Sequence, residues 1–172
     1  WAGTGSAGTV GHGLSSAPEM IIWKNRSEAL SWCVWHTSLT GGGAGTSFLK
    51  LDTTAAPEEG SGSIMNSTVP TSLVFTVKTH NRVNDSSDAI IAYCFHSVTG
   101  YSKFGTYDGT GSTGNVITTG FRPAFIMVKR IDAAEDWLMF DSTRSSYNNG
   151  INANNAFNPI VRRHRANEPN AE

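Results

Sequence analysis

The chain has 172 residues, enough to bury a core as one domain or as two small ones. Thirteen basic against fourteen acidic residues leave a net charge of −1, which excludes the strong field that would draw it to nucleic acid or an anionic membrane. Only 16% of residues are charged, and Gly, Ser, Thr and Asn are abundant, so an all-β fold of short strands and polar turns is expected.

The first element is "GTGSAG", residues 3–8. Its G-x-G-x-x-G spacing matches a dinucleotide fingerprint, but that chemistry needs a strand before it and a helix after it. Only Trp1 and Ala2 precede it, and Gly11, Gly13 and Pro18 follow without a helical apolar repeat. A glycine-permitted turn without bound phosphate is expected. Strands are expected in "EMIIWKN", "SWCVWHT", "SFLKLDT", "SLVFTVKT", "AIIAYCFHS" and "KFGTY", then in "NVITTG", "AFIMVKR" and "DWLMFDS". No full helix is predicted, although "NRSEALSW" could hold one turn. The glycine-rich "TSLTGGGAGTS", residues 37–47, lacks the Lys and following helix of a phosphate loop and reads as a loop. The Asn-rich "YNNGINANNAFN", residues 147–158, reads as a surface loop.

The chain repeats itself. "WAGTGSAGTV" aligns with "YDGTGSTGNV", "MIIWKNR" with "FIMVKR", and "SWCVWH" with "DWLMFD". Pro18, Lys24 and Trp32 match Pro123, Lys129 and Trp137. A repeat of this length fits a β-sandwich domain better than a solenoid unit. Two tandem modules are therefore expected, residues 1–106 and residues 107–172, the second lacking its C-terminal strands. An incomplete sandwich exposes sheet edges, so the native chain is expected to continue or to be completed by another chain. The opening on Trp1 without an initiator Met suggests a mature product or a window from something longer.

Cys33 and Cys94 are too few for a disulfide framework and lie in strand-like apolar runs, so two free thiols are expected. His12, His36, His80, His96 and His164 show no metal-ligand spacing. "NRVNDSSD", residues 81–88, offers oxygen ligands but lacks the order of a helix-flanked calcium loop, and reads as a polar turn. No catalytic residue, metal or cofactor is assigned, because neither a paired-carboxylate signature nor a nucleophile elbow is present. "RRHR", residues 162–165, is too short a basic cluster for nucleic acid and reads as a solvated face or subunit contact. The N-x-[ST] triplets at Asn25, Asn66 and Asn84 are expected by chance in this composition.

Glycan binding needs an exposed aromatic platform. Trp32 and Trp137 occupy the same place in both copies and are assigned to a shared core. Trp23 and Trp35 become Val128 and Phe140, so the fold does not require indole there. They share strand parity with apolar neighbours, which favours core bulk, and they are also the candidates for glycan contact.

"WAGTGSAGTVGHGLSSAPEMIIWKNRS", "SDAIIAYCFHSVTGYSKFGTYDGTGSTGN", "TGFRPAFIMVKR" and "DWLMFDSTR" resemble repeats in tail and tail-fibre proteins of phages of aquatic bacteria. "AYCF", "GYSKFG" and "TGFRPAF" carry most of that likeness. The resemblance implies concanavalin-like or laminin-G-like jelly rolls, antiparallel sandwiches within a virion tail or fibre. It implies other virion subunits as partners, a homo-oligomer with a trimer as the analogous state, and contact with host-surface glycan. It carries no catalytic motif onto this chain, so a non-enzymatic virion protein is expected without membrane insertion. A lectin-like surface domain and a glycan-cleaving enzyme are the alternatives.

Overall fold

The computed structural model describes residues 1–39, 46–59, 64–112 and 115–142, and the backbone at 156–157 and 164–165. The fold is an all-β antiparallel sandwich. Its central sheet has the order β5-β4-β3-β2-β7, made of Glu58–Glu59, Ser47–Lys50, Cys33–His36, Met20–Asn25 and Ile90–Phe95. β1 (Gly8–Gly11) pairs with β6 (Val74–Val77), and β8 (Ile117–Thr118) with β11 (Ala156–Phe157). A three-stranded sheet has the order β12-β10-β9, from His164–Arg165, Trp137–Asp141 and Phe125–Lys129.

Both faces of the central sheet are covered, which explains why "MIIW" and "CVW" are continuously apolar rather than alternating. One face carries Ile21, Trp23, Cys33, Trp35 and Phe48, packed with Phe75 and Val77 of β6 and with Ile64, Met65 and Val83. Trp1 and Trp23 meet Phe75 edge-on at 5.9 and 5.8 Å between ring centroids. The opposite face carries Met20, Val34 and Leu49, and Trp137 from the second copy closes over them.

The second copy repeats the geometry of the first at three levels. Gly5 and Gly111 both adopt positive φ, +65° and +67°, the conformation that glycine enters at least cost. Thr4 Oγ1 accepts from Ser6 N at 3.3 Å, and Thr110 Oγ1 from Ser112 N at 3.4 Å. Trp23 stands opposite Cys33 and Ile21 opposite Trp35, as Val128 stands opposite Leu138 and Ile126 opposite Phe140. Backbone pairing extends the match: Val34 and Cys33 face Leu49 and Lys50, while Met139 and Leu138 face His164 and Arg165. β12 thus takes the place of β4. Within "RRHR", the backbone of His164 and Arg165 forms a strand against β10; residues 162–163 lie outside the described residues.

In space the second hairpin lies against the first copy. The Trp137 indole N–H donates to Lys50 O at 2.9 Å, and Glu135 N to Thr54 O at 2.8 Å. Trp137 is buried as assigned, whereas its twin Trp32 is half-buried and stacks on Tyr93 at 6.3 Å.

Several local expectations change. "KFGTY" is not a strand; Phe104 instead packs on Phe95 and His36. "NRSEALSW" forms no helical turn, because the Asn25 carboxamide oxygen accepts from Ser27 N and Glu28 N and turns the chain there. The single helical turn among the described residues is α1, Asn81–Asn84, inside the segment read as a polar turn. "GTGSAG" is a turn leading into β1, and no helix starts there. Residues 40–45 of the glycine-rich loop and most of 147–158 lie outside the described residues.

Both cysteines are free. Cys33 faces Trp23 and Cys94 faces Ile21 on opposite sides of β2, so two strand spacings, roughly 9–10 Å, separate them. That exceeds the reach of a disulfide. Burial pushes the Cys33 thiol far up and the half-buried Cys94 thiol up to about 11.

Candidate functional site

The polar residues converge at one end of the sandwich, where the "GTGSAG" turn meets α1. Asn84 is fully buried there. Its oxygen accepts from Thr4 N at 2.9 Å, and its amide donates to Ser6 O and Lys78 O at 2.6 Å each. Gly3 N donates to Asp88 O and Ser87 N to Gly3 O, both at 2.8 Å. The close approach leaves no room for a side chain, since a Cβ on Gly3 would stand 1.8 Å from Asp85 O.

Asn25, also fully buried, organises the neighbouring loops. Its amide donates to Asn81 O at 2.9 Å and to Asp88 Oδ2 at 2.7 Å. This gathers Glu28, Asp85 and Asp88, whose carboxylate oxygens lie within 4.8 Å of one another. Sequence reasoning missed the trio because Glu28 is far from the other two in the chain; pairing of β2 with β7 brings them together. Oxygen donors suit a hard cation, but exposed acidic groups commonly gather without one, and Asp88 is held by Asn25 within the protein. The sequons at Asn25 and Asn84 are buried structural hubs.

α1 is capped by His80, whose Nδ1 accepts from Arg82 N at 3.2 Å. Its ring packs edge-on against Phe48 at 5.4 Å. Burial lowers its pKa, and the Arg82 charge lowers it further, against the pull of Glu58. A neutral ring is required for the cap, so stability is full above the ordinary histidine pKa of about 6.5. Below that, the unfolded chain takes the proton first, and stability falls until the depressed folded pKa is reached. His36, similarly lowered by burial, adds to the same trend. Melting temperature is expected to fall between pH 7 and pH 5, and His80→Asn, which can still cap, should flatten part of that fall. A profile unchanged by the substitution would contradict this role.

A cleft of about 260 Å³ opens between β1 and β7. Trp1, Val10, His12, Phe75, Ala92 and Cys94 are among its lining residues, and no carboxylate among the described residues lines it. It therefore offers no pair of acids for glycoside hydrolysis.

The glycan-contact assignment of Trp23 and Trp35 is corrected. They are 0% and 2% exposed, so neither presents a ring face to a sugar. Their parity with Ile21 and Cys33 placed them on the covered face, and that part of the reasoning describes them. Exposed rings include Tyr93 and Phe95 on the opposite parity of β7 and Tyr101 beyond it, 44%, 39% and 81% exposed, with Tyr107 and Phe125 further along the chain. Alternation within "IIAYCF" was the available signal.

No helix among the described residues is long and apolar enough to cross a membrane. A family model described as a domain of unknown function (DUF7483) matches residues 1–169. No curated protein and no solved structure matches the chain.

Proposed function

The chain belongs to the DUF7483 family, and we propose that it is an architectural module of a virion tail or tail fibre, built to pack repeat against repeat and to serve in host attachment. One observation carries the reading: the duplicated hairpin β9–β10 seats its tryptophan, Trp137, on the outer face of the first copy's sheet. A repeat that buries its neighbour's exposed sheet supports a role in building an extended particle. The phage tail resemblance supports the same setting.

The division into residues 1–106 and residues 107–172 belongs to this proposal, with adjacent copies sharing one core across it. Other virion subunits are the proposed partners, with assembly into a homo-oligomer. An antibody against this chain should label the tail or fibre of purified phage particles that encode it. Particles lacking the polypeptide would overturn the virion assignment.

A second reading, a lectin-like surface domain, is favoured by the half-buried Trp32 stacked at 29° on exposed Tyr93. Saturable binding on a glycan array, lost on Tyr93→Ala, would support it; a silent array would count against it.

A further inference from the structure

The first sheet and the second copy's hairpin meet in the core that holds Met20, Val34, Leu49 and Trp137, and Leu39 and Phe104 of the first copy pack against it. His36, the last residue of β3, touches the supports of both. Its Nδ1 accepts from Ser38 N at 3.1 Å and its carbonyl from Leu39 N at 3.0 Å, which turns the chain at Leu39. Its ring stands 6.4 Å from that of Phe104, centroid to centroid. Phe104 also packs on Phe95 at 6.0 Å and lies just before the second copy begins at Tyr107.

The Ser38 bond ties this turn to the charge state of the ring. An imidazole nitrogen accepts only while it carries no proton. A proton on Nδ1 would set N–H against N–H and leave Ser38 N without its acceptor. Burial opposes the charged ring, and Glu19, the residue before β2, pulls the other way. Thr37 N donates to Glu19 O and Glu19 N to Phe95 O, both at 2.8 Å, while Glu19 Oε2 accepts from Ser97 N. Beyond β7, His96 is turned to Ser97 O and Ser15 Oγ, so Glu19 is the one charge among the described residues that acts on His36.

We propose that His36 makes the joint between the two copies acid-sensitive: its protonation loosens the 36–39 turn and Phe104, and the β9–β10 hairpin then opens from the first sheet while the inner core stays closed. In the opened joint the ring reaches water and takes its proton near the ordinary value of about 6.5. In the closed joint burial holds that value lower. Closure is therefore fully favoured above pH 6.5 and weakens as the pH falls toward the depressed value. At pH 5 the opening equilibrium should rise by at most roughly thirtyfold. The inference rests on the packing of repeat on repeat and does not need the particle to be a virion.

Amide hydrogen exchange of the full 172-residue chain at pH 7 and pH 5, expressed as protection factors, tests it. Protection in β9 and β10 should fall several-fold at pH 5, more than in β1 and β6, which cover the inner core. His36→Asn keeps an acceptor for Ser38 N without a titrating ring, and the twin position already carries a short polar residue, Asp141. This variant should abolish the excess fall. Glu19→Gln keeps an acceptor for Ser97 N but removes the charge that favours the proton, and should deepen the fall. Should His36→Asn not fold, the Glu19→Gln comparison decides. Equal falls in hairpin and inner core, an excess fall that His36→Asn leaves in place, or one that Glu19→Gln does not deepen would overturn the proposal. Protection of the hairpin at pH 7 reports the packing itself, so a joint indifferent to acid would leave the architectural reading standing.

Discussion

Replacing Trp137 by Ala is expected to destabilise the protein by about 3–5 kcal/mol, the range for truncating a buried Trp. The indole is 4% exposed and packs with Met20, Val34 and Leu49. Truncation would uncover apolar surface on the central sheet and leave Lys50 O without its donor, adding the cost of an unsatisfied group. For a chain of this size the melting temperature should drop by roughly 6–20 °C. Thermal melts would check this, with limited proteolysis reporting whether β9–β10 is released. The twin substitution Trp32→Ala should cost far less, because Trp32 is only half-buried. Equal losses at the two sites would mean that the copies do not pack asymmetrically.

The second large effect is expected at Gly3. A Cβ there overlaps the Asp85 carbonyl at 1.8 Å, and the obstacle is backbone, which cannot rotate aside as a side chain can. The turn must move, straining its bonds to Asp88 O and from Ser87 N. Gly3→Ala is therefore expected to cost on the order of 3 kcal/mol. Its sequence twin provides the control. A Cβ on Gly109 would meet nothing within 4 Å, so Gly109→Ala should be close to neutral. Urea unfolding of both variants measures the contrast; equal midpoints would contradict the close packing at the first turn.

The duplicated "GTG" segments therefore share a turn and differ in what surrounds it. Both copies keep the positive-φ glycine, Gly5 and Gly111, because the turn itself requires it. Only the first copy places α1 and the Asp85–Asp88 loop against that turn, which is why Gly3 is constrained and Gly109 is open. The nucleotide reading finds no support in either place, since the first turn leads into β1 and the second is followed by β8.

The strands legible in the sequence were those with strong apolar runs. "MIIWKN" and "IIAYCF" became β2 and β7, and the matched hairpins became β2–β3 and β9–β10 in one register. β1 was illegible because Gly8–Gly11 is mostly exposed and has one apolar residue, Val10. β5 consists of Glu58 and Glu59, paired to β4 at its rim, where no apolar pattern is needed. α1 is a single turn whose cap is His80, outside the Ser, Thr, Asp and Asn set that usually signals a helix start.

The polar end of the sandwich was harder to read for a different reason. Asn25, Asn84 and the Glu28–Asp85–Asp88 trio acquire their roles from pairings across more than half of the first copy. No local spacing encodes that meeting. Strand parity did separate Trp23 and Trp35 from solvent, while the value of Trp137 depended on which sheet it would cover, a tertiary fact that the repeat alone left open.

The packing of one repeat on the next is tested most directly by the exchange of a single proton, the Trp137 indole N–H, followed by NMR in deuterium oxide. Its 2.9 Å bond to Lys50 O inside the shared core predicts a slowly exchanging resonance, with nuclear Overhauser contacts to Leu49. Exchange as fast as that of a free indole, without those contacts, would show that the second hairpin stands apart from the first sheet and would contradict the packing of repeat on repeat.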